Sequence, residues 1–144
     1  MKRIIYILTA LAAAVVMSAC GPKEDPQMVA MDSFMEAQMG VPGLYRDSKV
    51  EFAYNENDHQ LFFSKSQRIF RIMNTNSDKY LQFQLSADPV EGQTVDVVAK
   101  SYGFGLSSNT TYKALIVEKL ENNECHLRST AEGGYVGIII NWIE

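Results

Sequence analysis

The sequence predicts a mainly β protein, an antiparallel meander of about eight strands that forms a small barrel or a two-sheet sandwich, with one N-terminal amphipathic helix. Three observations carry this prediction. From Lys49 onward, apolar residues recur at every second position in short runs. Clusters of Asn, Asp, Gly and Pro separate these runs. No stretch between them is both long and helical in pattern, so parallel strands would lack their crossover helices.

The helix is predicted over residues 27–40. Asp25 is a candidate N-cap and Pro26 suits the first helical position, whereas Gly40 and Pro42 form a stop signal. Methionines recur along the helix at helical spacing, at Met28, Met31, Met35 and Met39. Such a stripe is a packing face against the domain, an adaptable binding face or a segment that lies on a membrane. The absence of Lys and Arg on the polar side disfavours the membrane interpretation.

The strands follow from the period-two runs. The clearest alternation covers residues 80–85, where Leu81, Phe83 and Leu85 share one face. The other predicted strands cover residues 49–54, 61–63, 69–73, 94–99, 112–120, 125–129 and 135–142. The last of these has apolar side chains on both faces, which predicts a central or covered strand and not an open edge.

The N-terminal residues predict a membrane anchor. Lys2 and Arg3 precede an uncharged apolar run of 13 residues, 4–16, and small residues then lead to Cys20. This run is too short to span a bilayer, which needs about 20 apolar residues. The arrangement resembles the signal of bacterial lipoproteins, in which the cysteine becomes the acylated first residue of the mature chain. The resemblance implies a lipid anchor on Cys20 and a location in the outer membrane.

A short charged segment follows this cysteine. Lys23, Glu24 and Asp25 resemble the basic-acidic tag of surface-exported lipoproteins of the Bacteroidota, which implies display on the cell surface. The alternative interpretation is a solvated spacer, which leaves periplasmic display open. The predicted organisation is then a signal peptide (1–19), a lipidated cysteine with its tether (20–26), the helix (27–40) and a β domain (41–144).

Composition and charge exclude several classes of function. Removal of residues 1–19 leaves 125 residues, enough for one domain, and takes the net charge from −4 to −6. This acidic balance argues against nucleic-acid binding. If Cys20 carries lipid, Cys125 has no partner for a disulfide, so apolar burial must stabilise the fold.

No set of residues predicts catalysis, a metal site or a cofactor. Cys125 and His126 are adjacent in a strand, so their side chains point to opposite faces. His59 lies at the end of a turn, and the 17 carboxylates are scattered with no pair that faces a common cleft. The longer phosphate-binding patterns are absent as well. We therefore expect a protein that is not an enzyme and that binds no metal or cofactor.

The loop that begins at Tyr102 is the candidate partner contact. Phe104 and Leu106 alternate with glycines ahead of the polar run 107–111, where exposure is expected, and exposed apolar loop residues often contact a partner. The alternative is that Phe104 and Leu106 fold back and cover the end of the core.

These observations predict a non-catalytic envelope lipoprotein that binds an envelope or extracellular protein or serves as an accessory subunit. The alternative is a β-barrel that binds a small ligand or a glycan. For that alternative, tyrosines would form a stacking platform from Tyr54, Tyr80, Tyr102, Tyr112 and Tyr135. Large inward residues such as Phe52 and Phe63 favour a filled interior, and therefore the protein-binding hypothesis.

Overall fold

The computed structural model describes residues 25–129 and 134–143. The helix and strands within these ranges are α1 (Pro26–Ala37), β1 (Gly43–Arg46), β2 (Lys49–Ala53), β3 (His59–Ser64), β4 (Ile69–Asn74), β5 (Tyr80–Leu85), β6 (Thr94–Tyr102), β7 (Asn109–Glu121), β8 (Glu124–Ser129) and β9 (Val136–Asn141). The predicted lipidation site, Cys20, and the signal peptide lie outside the described residues.

Helix α1 begins where the sequence predicts a cap. Asp25 is extended, and its Oδ1 accepts a hydrogen bond of 2.9 Å from the backbone N–H of Gln27, while Pro26 occupies the first turn. The helix ends at Ala37 and not at the predicted residue 40. The chain turns earlier, and Gly40 has the positive φ of 85° that favours glycine.

The strands form one antiparallel sheet in the order β2-β1-β9-β8-β7-β6-β5-β4-β3. Strand β9 pairs with β1 on one side and with β8 on the other, and its residues Val136–Ile140 are buried. The predicted placement of the last strand as central or covered is therefore confirmed. Strands β2 and β3 are the two edges.

The predicted fold class is confirmed in its coarse form only. The part of the chain that the structure describes is mainly β and antiparallel, with one helix ahead of the strands. The predicted barrel or two-sheet sandwich is not confirmed, because the hydrogen-bonded ladder is a single sheet that does not close. The described residues form nine strands and not about eight, because the sequence did not reveal β1, a four-residue strand with little alternation.

The core lies on one face of the sheet, which we call the inner face. It is a contiguous cluster of buried residues from β1 and β4–β9, with Phe70, Phe83 and Trp142 among its largest side chains. The opposite face is the outer face. Helix α1 packs there through Met31 and Met35, which contact Tyr45 and Ile139.

The sheet curls around its inner face. The guanidinium of Arg46 in β1 donates a hydrogen bond of 3.2 Å to the hydroxyl of Tyr112 in β7, although β9 and β8 lie between these strands in the ladder. The rings of Phe63 in β3 and Trp142 after β9 lie 5.1 Å apart in an edge-to-face contact. Strands that are distant in the ladder therefore meet across the interior.

The two edge strands are consecutive in the chain and run in the same direction, because nine antiparallel strands alternate. The turn between them is compact: Asp58 N–H donates to the carbonyl oxygen of Asn55 at 3.0 Å, and Asn55 N–H donates to Nδ1 of His59 at 3.0 Å. A short link between two strands of the same direction leaves no room for a return crossover. Strand β3 therefore continues along the direction of β2.

Candidate interaction surface

The predicted partner loop divides between the core and solvent. The ring of Phe104 lies 4.5 Å from that of Phe52 and 5.7 Å from that of His59, and Leu106 is also half-buried against the core. These two residues fold back, as the alternative interpretation predicted. Tyr102 is 58 % exposed and is available to a partner. Contact between this loop and a partner remains a prediction.

Tyr102 belongs to a set of exposed and partly exposed rings on the outer face of β3–β6. Its ring stacks on that of Tyr80 at 6.2 Å, and these two residues are direct cross-strand partners. In β3, two strands from Tyr80 and three from Tyr102, Phe62 is 39 % exposed and lies opposite Arg71. We call Phe62, Arg71, Tyr80 and Tyr102 the aromatic face.

Arg71 connects the rings of the aromatic face. Its guanidinium carbon lies 5.3 Å from the ring centroid of Phe62 and 5.5 Å from that of Tyr80, within cation–π distance of both. Nε and Nη2 donate hydrogen bonds of 3.0 Å and 2.6 Å to Oε1 of Gln82. Because two rings and an amide hold the guanidinium, little side-chain entropy remains to be lost on binding.

The charge of this region differs from that of the chain. The register places eight outward residues in two cross-strand rows, one of Phe62, Arg71, Gln82 and Lys100 and the other of Gln60, Met73, Tyr80 and Tyr102. These rows hold two cations and no carboxylate, in a chain with a net charge of −4. The aromatic face is therefore a locally positive surface on an acidic protein.

The sequence prediction missed Phe62 and Arg71. A signal was present, because Arg71 alternates with Phe70 and Ile72, whose side chains are buried on the inner face. Period two therefore places Arg71 on the outer face. Its two ring neighbours come from different strands, so the register had to be known before they could be identified.

The predicted tyrosine platform is not one surface. Tyr80 and Tyr102 stack on the outer face, whereas Tyr112 bonds to Arg46 across the interior. Tyr54 packs near His59, with their ring centroids 6.1 Å apart. Tyr135 lies beside α1 and donates its hydroxyl to Oδ2 of Asp25. Only two of the five tyrosines therefore share a stacking surface.

A second feature of the outer face is an acidic groove of about 410 Å³ between α1 and strands β7 and β8. Arg128 crosses it, pairs with Asp32 in α1 through Nε–Oδ1 at 3.1 Å, and also pairs with Glu118 in β7. His126 Nε2 lies 3.0 Å from Glu124 Oε1. Of these pairs, Arg128–Asp32 ties the helix to the sheet.

The side chains of Cys125 and His126 lie on opposite faces of the sheet and do not form a catalytic pair. Cys125 lies in the inner core, and burial raises the pKa of its thiol to about 12, so the nucleophilic thiolate is disfavoured. His126 faces the groove on the outer side. Within residues 25–129 and 134–143, no three His, Cys, Asp or Glu side chains are grouped closely enough to hold a metal ion.

In the same described ranges, no helix has both the length and the apolar character needed to cross a bilayer. Comparison of the chain with protein-family models, with curated proteins and with solved structures finds no match.

Proposed function

We propose that this protein is a lipid-anchored module of the cell envelope that binds a protein partner through its aromatic face and catalyses no reaction. The observation that carries the proposal is the uncovered set of rings around Arg71. Helix α1 lies over β1 and β9, so it leaves the outer face of β3–β6 open to solvent.

The composition of the aromatic face supports a protein partner. Tyrosine, phenylalanine, methionine and arginine are enriched at protein interfaces, and tyrosine and arginine are enriched among the residues that dominate binding energy. Arg71 and Lys100 lie among these rings with no carboxylate in their rows. The complementary partner surface therefore presents carboxylates to the two cations and flat apolar groups to the rings.

The inner face supports a packed scaffold and not a carrier with a large cavity. Its core is contiguous across seven strands, and aromatic contacts such as Phe63 with Trp142 fill the interior. We also propose that the sheet acts as a barrel, in which β2 and β3 form one bent strand that completes the wall. Their common direction and compact link support this closure.

The anchor is part of the proposal. Acylation of Cys20 would hold the chain in the outer membrane, and the tag at Lys23–Asp25 would direct it to the cell surface. The tether enters the domain at Asp25, beside α1 on β1 and β9. In the ladder, β8 and β7 separate that region from the strands of the aromatic face, so an anchored molecule keeps this surface accessible.

In-cell photo-crosslinking tests the proposal. A photoreactive phenylalanine analogue is placed at position 102 of the full chain and, in a matched control, at Ile116, a 41 %-exposed residue on the outer side of β7. We expect a discrete protein adduct from position 102 and none from position 116.

A second variant tests the cation. Arg71→Gln should remove the adduct from position 102, whereas Lys113→Gln, at an exposed pair with Asp96, should leave it unchanged. Equal adducts from positions 102 and 116, or an adduct at position 102 that survives Arg71→Gln, would refute the aromatic face as the binding surface.

A further inference from the structure

A pocket of about 300 Å³ opens on the inner side of the curled sheet, where the loop between β6 and β7 meets β1 and β2. We call it the mouth pocket. Its apolar wall is formed by Leu44, Leu81 and Leu106, and its polar wall includes Arg46, Glu51 and Tyr112. It lies on the opposite side of the sheet from the aromatic face, because Leu81 belongs to the inner core.

The polar wall is electrically balanced. Arg46 Nε lies 3.2 Å from Glu51 Oε1, and Arg46 Nη2 donates a hydrogen bond of 3.2 Å to the hydroxyl of Tyr112. Each side chain of the ion pair is about one-third exposed, so both remain within reach of a ligand. Burial raises the pKa of Tyr112, so its hydroxyl keeps its proton and can act as a donor.

Hydroxyl groups extend this polar wall. Ser107 and Thr110 line the pocket beside Tyr112. Each of these hydroxyls can donate one hydrogen bond and accept others, so a polar group in the pocket would find partners there.

The balance of charge selects the chemistry of the ligand. An anion at Arg46 would face repulsion from Glu51, and a cation at Glu51 would face repulsion from Arg46. A neutral hydroxyl avoids both penalties, because it can donate to Glu51 and accept from Arg46 at once. The leucine wall suits the C–H face of a ring. The volume is at the lower end of the range for ligand sites.

From these features we infer that the mouth pocket binds a small neutral polyhydroxylated molecule of the size of one sugar ring. Its hydroxyls bridge Arg46 and Glu51 and bond to Tyr112, while its apolar face lies on Leu106, the partly exposed leucine of the apolar wall. This site is independent of the proposed protein partner, because it is on the inner face.

The test is a titration of the full chain in detergent micelles, followed by amide NMR spectra. Neutral monosaccharides are compared with glucuronate and glucosamine, which carry one charge on the same ring. We expect neutral sugars to shift the amides of Ser107, Thr110 and Tyr112 with a Kd near or below the millimolar range. Each charged sugar should bind at least about fivefold more weakly.

Tyr112→Phe should raise the Kd of the neutral sugar about three- to tenfold, the effect of one lost hydrogen bond. Tyr102→Phe is the matched control and should leave this Kd unchanged. The absence of shifts at about 50 mM neutral sugar would overturn the inference. Tighter binding of a charged sugar, or shifts confined to Tyr80 and Tyr102, would overturn it as well. The first two outcomes do not bear on protein binding by the aromatic face, whereas the third would identify that face as a sugar-binding surface.

Discussion

Gly43 in β1 lies against the carbonyl oxygen of Phe52 in β2, so closely that a β-carbon at position 43 would be 2.3 Å from that oxygen. The same β-carbon would lie 3.0 Å from Cα of Ala53, the register partner of Gly43. Gly137 in β9 is also crowded, but by side-chain ends: a β-carbon there would lie 2.5 Å from Sδ of Met35 and 2.9 Å from Cε of Met31.

This difference predicts the relative cost of adding one methyl group. Gly43→Ala should lower the free energy of unfolding by about 3 kcal/mol, because paired backbone must move, whereas Gly137→Ala should cost about 1 kcal/mol. The smaller cost follows because methionine side chains adapt. Urea denaturation measures both values. A larger loss for Gly137→Ala would show that the contact of α1 with β9 is the more rigid of the two.

Arg128 links α1 to the sheet and should contribute more than an ordinary surface cation. It is 14 % exposed, pairs with Asp32 and Glu118, and contacts Sδ of Met28. Arg128→Ala leaves two carboxylates without their shared partner and should cost about 2 kcal/mol. Lys113→Ala, at a 76 %-exposed side chain, should cost less than about 0.5 kcal/mol.

Thermal unfolding checks these two values, and hydrogen exchange of the α1 amides shows where the effect lies. Arg128→Ala should accelerate exchange in α1 selectively. Equal stability of the two variants would mean that the ion pairs of Arg128 contribute nothing measurable.

The domain should lose stability at alkaline pH because two acidic protons are buried. Burial raises the pKa of Tyr45 from 10.0 to about 12 and that of Cys125 from 9.0 to about 12. Below pH 9 the folded and the unfolded chain both hold these protons, so the stability that the buried groups contribute is fully present there. Above pH 9 the two groups ionise first in the unfolded chain, and the free energy of unfolding falls until the pH reaches their pKa values in the folded protein.

The thiol contribution can be isolated. Ionisation of Cys125 in the unfolded chain should lower the free energy of unfolding by about 1.4 kcal/mol per pH unit above pH 9, until the pH reaches the pKa of this thiol in the folded protein. Denaturation of the wild-type chain and of Cys125→Ala between pH 8 and about 11 measures this slope. The curves should converge as the pH rises. A constant difference between the two proteins would contradict ionisation of Cys125 as the cause.

The proposed anchor makes Cys20 and Cys125 distinguishable in cells. Cys20→Ser should release the protein from the membrane fraction or block its maturation, because several acyl chains on one cysteine are needed for durable anchoring. Cys125→Ala is the matched control and should stay with the membranes. Fractionation followed by mass spectrometry checks the result, and retention of Cys20→Ser with membranes would disprove the acyl anchor.

The sequence determined individual elements better than their assembly. Strict alternation located β5 at Tyr80–Leu85, and the two-sided apolar pattern placed β9 inside the sheet. Strand β1 was missed because four residues contain too few periods to recognise. Alternation alone would place Val50 and Phe52 on the same face, but a register shift near Tyr45 pairs Val50 with Tyr45 and turns it to the outer side.

The candidate surface was predicted only in part. Tyr102 was included as the first residue of the predicted loop, and the structure places it, exposed, at the end of β6. Its neighbours on the aromatic face come from β3, β4 and β5, so their proximity depends on the register of three hairpins. A single sequence contains no direct record of that register, and Arg71 could not be linked to Phe62 and Tyr80 before the structure.

The common direction of β2 and β3 also has a consequence for self-association. An open sheet is ordinarily a template on which further chains polymerise, since its unpaired amides and carbonyls invite another strand. Here the edge strands β2 and β3 are only five and six residues long, and the compact turn between them offsets one from the other. Lys49 and Glu51 add exposed charges to the first of them. Copies of this chain at high local concentration would therefore resist fibril growth through backbone pairing.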